Sequence, residues 1–133
     1  LSLLVISGKV EMELAELDPD DRRNFEKDLG LEESARDRFI QASYALLNLM
    51  SFLTAGEDEV RAWTIRRGEV AQGAAGKIHS DIARGFIRAE VIPYEAMIQF
   101  RTEAKCREAG KLRLEGKEYV VADGDVIHFR FNV

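Results

Sequence analysis

The stretch from Arg61 to Ile92 constrains this chain most, because it reads as strand, helix and strand in about thirty residues. Arg61–Ile65 (R-A-W-T-I) is rich in β-formers and is closed by Arg66-Arg67-Gly68. Ala74, Ala75, Ile78 and Ile82 recur at helical spacing, with Lys77, Ser80, Asp81 and Arg84 opposite, so one helix is expected over Ala74–Arg84. Gly85 stands where a left-handed C-cap is wanted, and Phe86–Ile92 resumes an extended run. Such a unit lays one helix face on a small sheet.

Length permits one domain, or a small domain with a piece of another, in 133 residues. A hydrophobic content of 46% suits a packed core. The greasiest run, Ala45–Ala55, is broken by Asn48, Ser51 and Thr54 and is too short to span a bilayer. The N-terminus lacks a signal peptide's basic flank and cleavage site. One cysteine, Cys106, cannot close an internal disulfide. These features lead to an expected cytoplasmic location and no membrane partner.

The net charge of −5 is unevenly spread. Residues 1–56 hold six Lys/Arg against eleven Asp/Glu, whereas residues 57–133 hold thirteen of each. Only a local basic patch in the second part would therefore attract nucleic acid. Arg61, Arg66 and Arg67 come from one strand and its end, Lys77, His79 and Arg84 from the helix, and Arg88 from the next strand. If they converge near Trp63 or Phe86, cations would meet phosphates and an aromatic ring would stack on a base. Their acids would then gather elsewhere, at Glu57–Glu59 and in the series Glu90, Glu95, Glu103, Glu108. The alternative is solvated charge, with Lys77 paired to Asp81 and Arg88 to Glu90, and with Trp63 in the core.

The chain opens on Leu1–Ile6, a continuous apolar run that reads as a buried strand. No partner strand follows in the next forty residues or so, and a lone buried strand leaves backbone groups unpaired. The expectation is the tail of a longer protein, the alternative an extra strand on the later sheet. Glu11–Leu17 should be helical, with Met12 or Leu14 and Leu17 inward. Asp18-Pro19-Asp20-Asp21 is a helix start, with Phe25 and Leu29 inward and Gly30 as the stop. A further helix over Glu32–Leu47 would bury Ala35, Phe39, Ala42 and Leu46. Leu49–Thr54 and Val60–Ile65 read as a hairpin around Gly56-Glu57-Asp58. Pro93-Tyr94-Glu95 starts a helix through Met97, Phe100 and Ala104, with Cys106 as a small packing residue. Leu112–Leu114 and Tyr119–Val121 are expected to pair, and Val126–Phe131 closes the sheet after the turn Asp123-Gly124-Asp125.

Catalytic constellations are missing from this pattern. Gly8-Lys9 and Gly76-Lys77 are followed by Val10 and Ile78, and Leu3 and Ala71 stand where a phosphate loop needs its first glycine. One cysteine with His79 and His128 makes no zinc set. His79 therefore reads as a surface or hydrogen-bonding residue, and Asp123 and Asp125 as turn residues.

Several of these segments together resemble a known family. They are Ala62-Trp63-Thr64-Ile65, Ala74-Ala75-Gly76-Lys77-Ile78-His79, Gly85-Phe86-Ile87-Arg88-Ala89, Phe52-Leu53-Thr54-Ala55-Gly56, Ala109-Gly110-Lys111 and Asp123-Gly124-Asp125-Val126-Ile127. They resemble the TGS domain that ends the YchF-type Obg-like ATPases, and the likeness runs in order along the chain from about Leu3 to Val133. The resemblance implies an α+β, β-grasp (ubiquitin-like) domain over residues 48–133. It also implies a connecting helix over 31–47, and over 1–30 the last strand and helices of a P-loop G domain. Ser7-Gly8-Lys9 is similar to the fifth GTPase motif, whose backbone touches the nucleotide base, although a plain strand-to-helix turn has the same look. On this reading ATP or GTP with Mg²⁺ would bind elsewhere in the parent protein, and these residues would dock on the ribosome or its RNA. The competing reading is a self-contained β-grasp adaptor that binds protein through its sheet edge.

Overall fold

The computed structural model describes residues 3–56 and 58–133. Leu1 and Ser2 of the expected opening strand, and Glu57 of the expected hairpin turn and acid group, lie outside them. The chain divides into two units, Leu1–Leu47 and Asn48–Val133.

The first unit is three helices: α1 (Gly8–Ala15), α2 (Pro19–Asp28) and α3 (Ala35–Leu46). Each begins on a side-chain cap. Ser7 Oγ accepts from the Val10 amide at 3.4 Å, Asp18 Oδ1 from the Asp20 and Asp21 amides at 3.0 Å each, and Ser34 Oγ from the Asp37 amide at 3.1 Å. Those two amides hold the Asp18 carboxyl below its ordinary range. Gly30, at φ 69°, ends the second helical segment in the left-handed region.

Leu14 and Ala35 are buried as expected, but the rest of the expected inward faces is not: Phe25, Leu29, Phe39 and Leu46 are all exposed, Leu46 to 74%. Leu3–Ile6 forms no strand either. Leu3, Val5 and Ile6 are exposed, and the Val5 carbonyl accepts from Arg38 at 3.3 Å instead of from a neighbouring strand. The cause is the same in both cases. Apolar periodicity announces a face that can be buried, and the described residues of this unit supply nothing to cover it.

The second unit is a five-stranded sheet with helices. In chain order it comprises β1 (Leu49–Ala55), β2 (Val60–Arg66), α4 (Ala71–Ile78), α5 (Ser80–Arg84), β3 (Phe86–Ile92), α6 (Tyr94–Phe100), α7 (Glu103–Glu108), β4 (Arg113–Glu115) and β5 (Val126–Phe131). The strand order is β2-β1-β5-β3-β4. β1 runs parallel to β5, and the other pairs are antiparallel. The fold is mixed α/β.

Period-two alternation assigns the two sheet faces. One carries Met50, Phe52, Ile65, Ala89, Val91, Ile127 and Phe129, which form the main core with Ala71, Ala74 and Ala75 of α4. The other carries Leu53, Ile92 and Val126, packed with Ala96 of α6 and Cys106 of α7. Cys106 is fully buried, and its thiol donates to the Ala96 carbonyl at 3.5 Å.

Four local expectations change. The helix expected over Ala74–Arg84 is broken at His79, whose φ and ψ of −161° and 143° are extended. Gly85 has φ −89°, not a left-handed value. Glycine is needed there because a Cβ would run into the Asn132 backbone, 2.8 Å from its carbonyl carbon. Arg113–Glu115 pairs with β3, while Val120 bridges Val70, so the two runs expected to pair with each other do not. The helix after Pro93 also stops early, at Arg101, whose φ is 68°.

Candidate functional site

The cations singled out from the sequence do not converge on one edge. Arg61, Trp63 and Ile65 share the α4 face of β2 by alternation. The Arg61 guanidinium lies 4.2 Å above the Trp63 ring, and Trp63 Nε1 donates to Thr54 Oγ1 at 2.9 Å. Trp63 is half-buried against the core, with its edge wet. Arg66 points to the opposite face, five residues and thus roughly 17 Å along the strand from Arg61. Arg67 follows it and pairs with Asp123 at 3.5 Å, while Asp123 Oδ1 accepts from the Ser51 amide at 3.1 Å.

Lys77 is exposed in the last turn of α4 and, among the described residues, forms no ion pair, with Asp81 or otherwise. His79 caps the next helix: its Nδ1 accepts from the Asp81 amide at 3.1 Å, the hydrogen-bonding role expected of it. Asp81 takes Arg84 at 2.8 Å. Arg88 sits on the sheet face opposite Arg61 and pairs with Glu90 at 3.5 Å. In the first unit, Ser7, Gly8 and Lys9 are exposed at the start of α1, and a Cβ on Gly8 would meet nothing within 4 Å.

What the sequence did not reveal is the group gathered on Glu90. In the β3–β5 ladder Glu90 lies opposite His128 and Arg88 opposite Arg130, so all four project from the face away from α4. The α7 helix brings Arg107 to the same place. The Glu90 carboxylate, 5% exposed, receives Arg130 at 3.1 Å, Arg88 at 3.5 Å and Arg107 at 3.7 Å. Glu103 meets Arg107 from one helical turn away at 3.2 Å. The Arg130 hydrogen bond holds the Glu90 carboxyl below its usual range against the opposing effect of burial, helped by the charges of Arg130 and Arg107. Reciprocally, Glu90 raises Arg130. Glu90 was expected in an acidic group apart from the cations; it pairs instead with Arg88, as the alternative of paired charge had it, and with Arg107 and Arg130 besides. One signal was legible: a glutamate inside the buried run Ala89–Ile92 demands a counter-charge.

Beside this group lies a cavity of about 200 Å³. Ile92, Met97, Leu112 and Val126 give it apolar walls, and Arg101, Thr102, Glu103 and His128 give it polar ones. Ligand atoms of Glu90, Glu103 and His128 lie within 4.8 Å of one another. A cation is disfavoured there, because three guanidinium groups already share the Glu90 carboxylate and repel further positive charge.

A family model named YchF-GTPase_C, described as a protein of unknown function (DUF933), matches residues 49–132. The chain belongs to that family. The YchF-GTPase_C segment thus coincides with the sheet-bearing unit. Over 131 residues the chain is 55% identical to "Ribosome-binding ATPase YchF" of Bacillus subtilis, covering 98% of this chain and 36% of that protein. To the protein of the same name from Haemophilus influenzae it is 56% identical, covering 96% of this chain and 35% of the relative. The chain therefore spans about a third of the length of these relatives. A solved structure, the Schizosaccharomyces pombe YchF GTPase, superposes with a TM-score of 0.77 at 39% identity, over 89% of this chain and 31% of that one. The resemblance to YchF-type proteins read from the sequence is borne out.

Chemically, the YchF-GTPase_C unit offers anchored guanidinium groups and a small half-apolar recess. Its buried acids, Glu90 and Asp125, are both committed: Asp125 Oδ2 accepts from the Tyr119 hydroxyl at 2.7 Å and the Ala122 amide at 2.9 Å. Burial and that carboxylate push the Tyr119 hydroxyl up to about 12. No described helix is long and apolar enough to cross a membrane.

Proposed function

We propose that this chain is the docking part of a ribosome-associated, Obg-like P-loop ATPase/GTPase of the cytoplasm. Residues 48–133 act as a β-grasp TGS module, and residues 1–30 close a P-loop G domain. The observation that carries the reading is 55% identity, over nearly the whole chain, to a relative named as a ribosome-binding ATPase. The sheet order β2-β1-β5-β3-β4 with β1 parallel to β5 supports the β-grasp assignment. The cations Arg61, Arg66, Arg67, Lys77, Arg84 and Arg88 do not form one patch, but all are exposed, and each leaves positive charge for contact with ribosomal RNA.

Nucleotide phosphates and Mg²⁺ do not fit these residues, since neither Gly-Lys pair sits in a Gly-x-x-x-x-Gly-Lys-Ser/Thr loop. ATP or GTP belongs to the rest of the parent protein. Ser7-Gly8-Lys9, exposed at a helix start with open space around Gly8, would border the nucleotide base, as its likeness to the fifth GTPase motif implies.

Competition tests the reading. Excess isolated chain should displace the full-length parent from ribosomes while hydrolysing neither ATP nor GTP itself. Failure to compete would transfer the function to a protein adaptor that uses the outer edge of β2.

A further inference from the structure

We propose that the sheet face around Glu90 is a single-stranded RNA site, with Arg88, Arg107 and Arg130 on backbone phosphates and one unstacked base in the adjoining cavity. The proposal rests on the ribosomal reading above and narrows it to one face.

The arginines are arranged for such a ligand. A carboxylate has about four acceptor positions and each guanidinium five N–H donors, so one carboxylate cannot saturate three arginines. The side chains of Arg88, Arg107 and Arg130 are 50%, 59% and 44% exposed, which leaves donors facing solvent. Glu90, held in the sheet, fixes one end of each guanidinium and reduces the ordering cost of receiving a ligand. Guanidinium is also the group that matches phosphate oxygens bidentately. With Arg101 at the cavity wall, four arginines face two carboxylates, Glu90 and Glu103, so the local field favours an anion.

The cavity supplies what phosphate contacts alone do not. At about 200 Å³ it is smaller than the roughly 300–1,000 Å³ of a whole-ligand pocket, and it admits a single ring system. Ile92, Met97 and Val126 can cover the faces of a base, and the Glu103 carboxylate can accept from an exocyclic amino group. Cationic contacts flanking a base-sized recess describe an unpaired strand. A duplex keeps its bases stacked and offers such a recess nothing.

The test is binding of a labelled single-stranded RNA oligonucleotide of mixed sequence, and of its duplex, to the whole chain at several KCl concentrations. Arg88→Gln with Arg130→Gln should flatten the log–log salt slope by about one to two units. Ala55→Trp, at the cavity wall, should weaken single-strand binding roughly tenfold and leave that slope unchanged. Because the double variant strips partners from a buried carboxylate, the triple variant with Glu90→Gln should show the same flattened slope in a folded protein. Arg88→Lys with Arg130→Lys should keep most of the slope.

Wild-type slope in the glutamine variants, or a duplex bound as tightly as the single strand, would overturn the proposal. If ribosome binding persisted in that case, the ribosomal reading would survive on other surfaces. If the wild-type chain bound neither oligonucleotide nor ribosome, both would fall.

Discussion

Arg130 of β5 donates a 3.1 Å hydrogen bond to the buried carboxylate of Glu90 on β3, forty residues earlier in the chain. The register that sets Arg88 opposite Arg130 makes this contact, and Arg107 completes it from a helix. Glu90 should therefore carry part of the acid sensitivity of the fold. Its folded pKa lies below the ordinary 4.5, so below that pH the unfolded state binds more protons. Its stabilisation is present above pH 4.5 and is lost as pH falls through the folded value. Urea melts across that range should show stability declining, and Glu90→Gln should decline less. Arg130→Ala should destabilise only modestly at pH 7, because a half-exposed arginine is screened and two others remain on Glu90.

Helical spacing marked Ile78 as a core residue and singled out nothing at Ile65, but the structure ranks them the other way. Ile65 is 1% exposed, while Ile78 is only partly buried at the margin of the same core. Ile65→Ala should cost about 2–5 kcal/mol. Ile78→Ala should cost clearly less. Denaturant midpoints compare the two directly, and an equal loss would place the α4 helix deeper on the sheet than it lies here.

Gly85 and Gly116 make a second pair. A Cβ at Gly85 meets the Asn132 backbone, whereas one at Gly116 meets nothing within 4 Å. Gly85→Ala should destabilise by about 1–3 kcal/mol through overpacking at the end of β5. Gly116→Ala should be neutral or stabilising by up to about 1 kcal/mol. Thermal melts read both, and a neutral Gly85→Ala would mean that the Asn132 backbone yields.

Legibility from sequence followed the range of the interactions. β1, β2, β3 and β5 were readable because alternation and β-branched content act over a few residues and glycines mark their ends. The cap at Asp18 was equally local. The break at His79 was missed because the apolar spacing of Ile78 and Ile82 runs straight through it, although Ser80-Asp81 after His79 is a helix-start signature. The pairing of Arg113–Glu115 with β3 depends on chain segments more than twenty residues apart, and nothing nearby encodes it. The Glu90 group failed to show for the same reason. Nothing in the spacing singled out Arg107 of the helix or Arg130 of the closing strand. Only the sheet register and the placement of α7 bring both to Glu90. Arg61 and Arg66 illustrate the converse: neighbours in sequence, they are divided by strand alternation and length.

The most direct test of the docking claim is sedimentation of the 133-residue chain with ribosomes over a salt series. If the chain docks through two or three phosphate contacts on unpaired RNA, affinity should fall roughly seven- to twentyfold between about 50 and 200 mM monovalent salt. Affinity that does not change across that series would contradict docking through RNA phosphates.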